Sequence, residues 1–314
     1  MPIPVVNLAD FLSGDASLKQ QFVQQLGKAY EEVGFVAVKN HGIPDELIKR
    51  MYQQVQEFFS LPSEKKKKYE IPELAGQRGY TSFGKEHAKG SEAPDLKEFY
   101  QHGQTVIGDV PEKAEYPDNV QIDEVPGFTE TFNQAYRAFE TSGKALLQAI
   151  AIYLGLDEHY FDEHIHNGNS ILRAIHYPPI QEEPKSAIRA EQHEDINLIT
   201  LLVGASADGL QILTKQNEWV AVTSLPEQIV VNVGDMLQRL TNNKLRSTTH
   251  RVVNPPRELW GTSRYSIPFF LHPKSKMSLA CLDSCVDANH PKAYPDATAG
   301  EYLDERLREI GLKK

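Results

Sequence analysis

Apolar side chains recur at Leu18, Phe22, Leu26, Tyr30 and Val33, a spacing that predicts an amphipathic helix over residues 18–33. Gly34 ends that helix, and FVAVKN reads as a short strand running into a turn at His41-Gly42. Pro44-Asp45 opens a second helix reaching about Phe59, and a third covers 128–154. From Ser170 the pattern shortens. The runs ILRAIHY, INLITLLV, LQILT, WVAV, IVVNV, STTHRVV and RYSIPFF read as strands, with turns at Asp208-Gly209, Gly234-Asp235 and Asn242-Asn243. Many short strands at regular spacing predict two packed sheets in jelly-roll style. EYLDERLREI closes the chain as an amphipathic helix. The expected fold class is mixed α/β with a mainly β core: a double-stranded β-helix (jelly-roll) barrel with a helical N-terminal half packed on it. The expected division is 1–165 (mostly helical), 166–275 (jelly-roll core with the active site) and 276–314 (C-terminal segment and helix).

Composition narrows the function classes. Of 314 residues, 40% are hydrophobic, enough for a sizeable core. The formal charge of −10 argues against a nucleic-acid binder. The one strong basic run, Lys65 to Lys68, is flanked by Glu64 and Glu70 and reads as a solvated helix end. Cys281 and Cys285 are too few for a disulfide framework. No basic segment followed by an apolar stretch opens the chain, and no apolar run approaches the ~18 residues of a membrane span. The expectation is a cytoplasmic monomer without membrane or nucleic-acid partners, acting on a small-molecule substrate.

The chemistry concentrates in Gln192-His193-Glu194-Asp195. Side chains alternate along a strand, so His193 and Asp195 are expected on one face and Glu194 on the other. HxD alone is a weak signal. His250, in the β-branched run KLRSTTHRVV, supplies a third ligand. Two histidines and one carboxylate make the facial triad that binds Fe(II) and leaves positions open for O2 and a co-substrate. Zinc would favour four protein ligands or cysteines, and none is suitably placed. The bland alternative for His250 is a core histidine bonded to a carbonyl. Farther on, Arg264 and Ser266 share a strand face, where a guanidinium and a hydroxyl can grip the far carboxylate of a dicarboxylic co-substrate.

These features occur within a longer succession: PVVNLADF, EEVGFVAVKNHGIP, FFSLPSEKKKKY, RGYTSFG, DLKEFY, LRAIHYPP, HEDINLITLL, GLQIL, WVAV, VVNVGDMLQRLTNNKLRSTTHRVVNP and RYSIPFF. In this order, over essentially the whole chain, it resembles the isopenicillin N synthase-like family of iron(II)/2-oxoglutarate-dependent dioxygenases. The resemblance implies His193, Asp195 and His250 as iron ligands and Arg264 and Ser266 as the 2-oxoglutarate grip. Tyr177 matches a tyrosine that often bonds the same co-substrate. Plant-type members carry Asn-Tyr-Tyr-Pro where this chain has Ile175-His176-Tyr177-Pro178, so the asparagine contact is lost.

The implied activity is Fe(II)- and 2-oxoglutarate-dependent hydroxylation or desaturation of a small organic molecule, with release of succinate and CO2. Two alternatives stay open. One is a 2-oxoglutarate-independent non-haem iron oxidase, resembling aminocyclopropanecarboxylate oxidase or isopenicillin N synthase. The other is a catalytically silent small-ligand-binding barrel. Arg173, on the face of Ile175 and Tyr177, reads equally as a pocket guanidinium for an acidic substrate or as a surface ion pair. Phe83, Tyr100, Asn197, Phe270 and His272 fall where the family often contacts substrate, with Asn197 the strongest of these. His164 and His166 read as a loop, and His176 as structural.

Overall fold

The computed structural model describes residues 3–74, 76–85, 95–184, 187–204, 208–223 and 225–309. Its strands are β1 (Val5–Asn7), β2 (Phe35–Lys39), β3 (Gly79–Thr81), β4 (Glu98–Gly103), β5 (Ile171–Tyr177) and β6 (Ala190–His193), followed by β7 (Ile199–Val203), β8 (Leu210–Leu213), β9 (Trp219–Ala221), β10 (Gln228–Val233), β11 (His250–Val252) and β12 (Arg264–Leu271). The larger sheet has the order β1-β2-β10-β7-β12-β5-β4-β3, and the smaller one β6-β11-β8-β9. Only β1–β2 among these pairs is parallel. The fold is a jelly-roll barrel in a mixed α/β chain.

Strand alternation divides the larger sheet cleanly. Outward, Val36, Val38, Leu172, Ala174, Leu201, Ile229, Val231, Ile267 and Phe269 join one apolar core with the helices Ala16–Glu32, Asp45–Phe59 and Phe128–Tyr153. Inward, Phe99, Ile175 and Tyr177 meet Ala190 and Val252 of the smaller sheet. Phe35, Ala37 and Val230 meet Ile212 in the same way. Four strands of the larger sheet, β1 to β4, come from residues before 166.

The helix Ala16–Glu32 begins where it does because the Asp15 carboxylate accepts from the Ser17 and Leu18 amides at 2.8 and 3.0 Å. Gly34 ends it with φ +76, and a Cβ there would lie 2.3 Å from Arg246 O. That close approach has a purpose. Arg246 N donates to Tyr30 O (3.1 Å) and Thr248 Oγ1 to Val33 O (2.8 Å), so the helix end fixes the approach to His250.

Several expectations are corrected. INLITLLV becomes strand only from Ile199, and STTHRVV only over His250–Val252. The residues just before them make isolated bonds, such as Leu198 N to Leu271 O (3.1 Å), Leu213 N to Thr249 O (2.9 Å) and Thr248 Oγ1 to Val33 O (2.8 Å). The strands β1, β3, β4 and β6 go beyond the expected set, because they are short or carry polar side chains on the inner face. Lys66 departs from the solvated-run reading. It is buried and pairs with Glu98 at 2.8 Å, while Lys65, Lys67 and Lys68 are exposed. The closing helix spans Ala299–Glu309, and Ile310 lies outside the described residues. Among the described residues no helix is long and apolar enough to cross a membrane.

Candidate active site

His193 ends β6 and His250 opens β11, and the two are direct partners in the antiparallel ladder. Their rings lie 4.4 Å apart between centroids. His193 Nδ1 is 2.7 Å from Glu191 O, and His250 Nδ1 is 3.1 Å from Thr248 O. A carbonyl only accepts, so each Nδ1 carries the proton and each Nε2 presents its lone pair. The bland reading of His250 thus fits only half of its ring. The edge of that ring also packs against Phe35.

Asp195 arrives by a different route from the one expected. The strand stops at His193, and Asp195 lies just before the 196–198 bend that crosses from the smaller sheet to β7 in the larger one. Shared strand parity therefore does not place it. The larger sheet does. Asp195 Oδ2 accepts from Thr200 Oγ1 (2.6 Å) and Asn232 Nδ2 (2.8 Å), both on inner-face positions. Its carbonyl accepts from the Asp235 amide at 2.8 Å. Oδ1 is left facing His193 Nε2 at 3.9 Å and His250 Nε2 at 3.7 Å. The three donor atoms lie within 4.8 Å of one another, the one such group among the described residues.

Electrostatics suit metal binding. The cavity walls around His193, whose side chain is 40% exposed, and then the neighbouring His250 lower its pKa, which favours the neutral form that can ligate. Burial pushes the Asp195 carboxyl up, but His250, His193, Asn232 and Thr200 together outweigh it, and the net shift is downward. Two imidazoles that present Nε2 and one carboxylate, gathered beside a cavity, match the donor set of a facial Fe(II) triad.

The cavity holds about 1140 Å³ and is lined by His193, Asp195, Phe99, Arg173, Phe270 and His272, among others. Arg173 reaches it as a pocket residue. Its guanidinium lies 4.3 Å from the Phe99 ring centre and 5.3 Å from that of Phe270, and Nε donates to Gln101 Oε1 at 2.9 Å. Burial lowers the pKa of His272, whose Nδ1 faces Phe270 O at 3.1 Å.

On the neighbouring inner face, the β12–β5 register sets Arg264 opposite Tyr177 and Ser266 opposite Ile175. The Arg264 guanidinium lies 4.9 Å from the Tyr177 ring centre. All four side chains are buried, and Ile175 packs with Phe99 and Val252 in the position where an asparagine contact is missing.

Other expected contacts fall elsewhere. Tyr100 is fully buried on the outer face, where its hydroxyl donates to Val120 O. Asn197 is also fully buried, and its amide donates to Thr200 Oγ1 at 2.8 Å, behind Asp195. It supports the site without facing a substrate, because the 196–198 bend breaks strand alternation. Phe83 is half exposed. His164 and His166 belong to the short helix Asp162–Ile165 and its cap. His176 lies outward, bonded to Glu98 (2.7 Å) and Ser263 (2.9 Å), as a structural residue. Sequence pattern alone misses Thr200, Asn232 and the buried Arg189. No local spacing marks them: sheet register pairs Thr200 with Asn232, and Arg189 lies just outside β6.

Two family models divide the chain. Residues 3–124 match the N-terminal model of non-haem dioxygenases in morphine synthesis, and residues 168–273 match the 2OG-Fe(II) oxygenase superfamily. The chain belongs to the 2OG-Fe(II) oxygenase superfamily. One relative is the 2-oxoglutarate-Fe(II) type oxidoreductase hxnY of Emericella nidulans, 31% identical over 99% of this chain and 92% of its own length. A crystal structure of a 2OG-Fe(II) oxygenase family protein from Caulobacter crescentus superposes with a TM-score of 0.89 at 41% identity, covering 98% of this chain and 99% of that one. A full-length Neurospora crassa protein, crystallised in complex with alpha-KG and thymine, gives a TM-score of 0.86 at 31% identity, covering 98% and 96%. This 2OG-Fe(II) oxygenase is an oxidoreductase that uses Fe(II), 2-oxoglutarate and O2, and its His193–Asp195–His250 group offers the donor set that iron requires.

Proposed function

We propose that this dioxygenase hydroxylates or desaturates a small organic molecule while 2-oxoglutarate is converted to succinate and CO2. The observation that carries the reading is the convergence of His193 Nε2, His250 Nε2 and Asp195 Oδ1 at one side of a cavity large enough for a small substrate. Bound there, Fe(II) supplies the activation of O2 that drives both decarboxylation and substrate oxidation.

The protein's own residues position, neutralise and shield. His193, Asp195 and His250 hold the metal. Glu191 O and Thr248 O fix the two imidazoles, while Thr200 and Asn232 fix the carboxylate, so the ligand geometry is set before metal arrives. Arg264 and Ser266 bind the distal carboxylate of 2-oxoglutarate, with Tyr177 beside them. A planar guanidinium fork suits that task better than an ammonium. Phe99, Phe270 and Arg173 favour a substrate with a flat or apolar face and an acidic or carbonyl group. The apolar inner faces keep water from the reacting atoms.

The test is a screen of small acids and heterocycles for substrate-stimulated succinate release, with products weighed by mass spectrometry. Gain of one oxygen supports hydroxylation, and loss of two hydrogens supports desaturation. Substrate oxidation without succinate would favour the 2-oxoglutarate-independent oxidase, and neither product under any condition would favour the silent barrel.

A further inference from the structure

Arg189 is one of the most deeply buried large side chains among the described residues, with 1% of its surface exposed. It sits immediately before β6, yet its guanidinium lies 5.9 Å from the Tyr177 ring centre, on the larger sheet. Arg264 approaches the same ring at 4.9 Å. Arg189 Nη2 donates to Thr262 O at 3.1 Å, but its Nε has no hydrogen-bond partner among the described residues.

The charge around Arg189 is of the wrong kind. Burial, and then the like charge of Arg264, lower its pKa to about 10, and no carboxylate contributes to the shift. Burying a cation beside another cation is costly unless an anion joins them. One carbonyl and one aromatic face offset only part of that cost. Two guanidiniums thus converge on Tyr177, and none of the groups that shift Arg189 is an anion.

Resting on the reading that Arg264 and Ser266 hold the co-substrate, we propose that Arg189 is a second guanidinium for the distal carboxylate of 2-oxoglutarate. Arg264 comes from β12 of the larger sheet and Arg189 from the entry to β6 of the smaller one. The carboxylate would therefore bridge the two sheets on the side of Tyr177. Because Arg189 and His193 are four residues apart, co-substrate binding would also bear on the strand that carries His193.

The test compares 2-oxoglutarate with 2-oxovalerate, which keeps the chelating keto acid but replaces the distal carboxylate by a methyl group. Affinities for the Fe(II)-loaded protein are read anaerobically from the visible metal-to-ligand charge-transfer band, without turnover. Arg189→Met should weaken 2-oxoglutarate about tenfold to hundredfold, as expected for a lost charged hydrogen bond, and leave 2-oxovalerate unchanged. Arg189→Gln, which keeps a polar group at the position of Nε, serves if the methionine variant does not fold, and should lose the same discrimination. Arg189→Lys should retain part of it. Equal weakening of both keto acids, or unchanged discrimination, would overturn the proposal and leave Arg189 as a brace for Thr262. If the unaltered protein fails to prefer 2-oxoglutarate, or Arg264→Met keeps that preference, the underlying reading of the grip is what falls.

Discussion

On β12, Ile267, Phe269 and Leu271 point outward into the helical layer, whereas Arg264, Ser266 and Phe270 point inward toward the smaller sheet. On β5 the outward residues are Leu172, Ala174 and His176, and the inward ones Arg173, Ile175 and Tyr177. Each strand thus holds two sets of residues with different duties. The outer set stabilises through burial and lacks chemistry, apart from one ionic knot in which Lys66, Tyr80 and His176 surround Glu98. The inner set holds polar and charged groups, among them Arg264, Ser266 and Asp195, that burial alone would penalise. The comparison teaches that stability and function here are separable by residue parity.

The largest expected effect breaks the inner set. Asp195→Ala or His250→Ala should reduce succinate formation to background and abolish iron retention, with a melting temperature close to that of the unaltered apoprotein. Iron analysis and calorimetry on the same samples check both halves. Breaking the outer set should do the reverse. Phe139 is fully buried and stacks on Phe269 at 5.5 Å. Phe139→Ala should cost about 3–5 kcal/mol in denaturant unfolding, with iron bound per folded molecule unchanged.

The outer ionic knot sharpens the comparison. Glu98→Gln leaves Lys66 buried without its counter-charge and should cost about 3 kcal/mol at neutral pH. Burial pushes the Glu98 carboxyl up, but hydrogen bonds from His176, Lys66 and Tyr80 outweigh it, so its folded pKa is lowered. Its contribution is present above the ordinary glutamate pKa and fades as pH falls through the lowered folded value. Urea unfolding across that acid range should show the unaltered protein and Glu98→Gln converging. The smallest effect concerns a residue that acts through Asp195. Asn232→Ala removes one of two donors to Asp195 Oδ2 and should weaken Fe(II) about tenfold to hundredfold, measured by competition with a chelator.

Much of the inner set is legible in the order of residues along the chain. Arg264 and Ser266 share a face because they belong to a regular strand, and alternation holds there. The same rule pairs His193 with Asp195, although the strand ends between them. They converge because Thr200 and Asn232 capture Asp195 from the facing sheet. Asn197 shows where that rule fails, since a bend turns an expected pocket residue into a buried brace. Lys66 shows the limit of charge runs: its partner Glu98 is far along the chain, and only the fold brings them together. Arg189 carries no local signal at all, and its meaning depends on Tyr177 and Arg264 from other strands.

The most direct test of the account is an anaerobic titration of apoprotein with Fe(II) and then 2-oxoglutarate, following the visible charge-transfer band. The unaltered protein should develop the band, His193→Ala should not, and Arg264→Met should need more 2-oxoglutarate to reach it. A full band in His193→Ala, or bound iron that never yields a band in the unaltered protein, would contradict the assignment of these residues to iron and co-substrate.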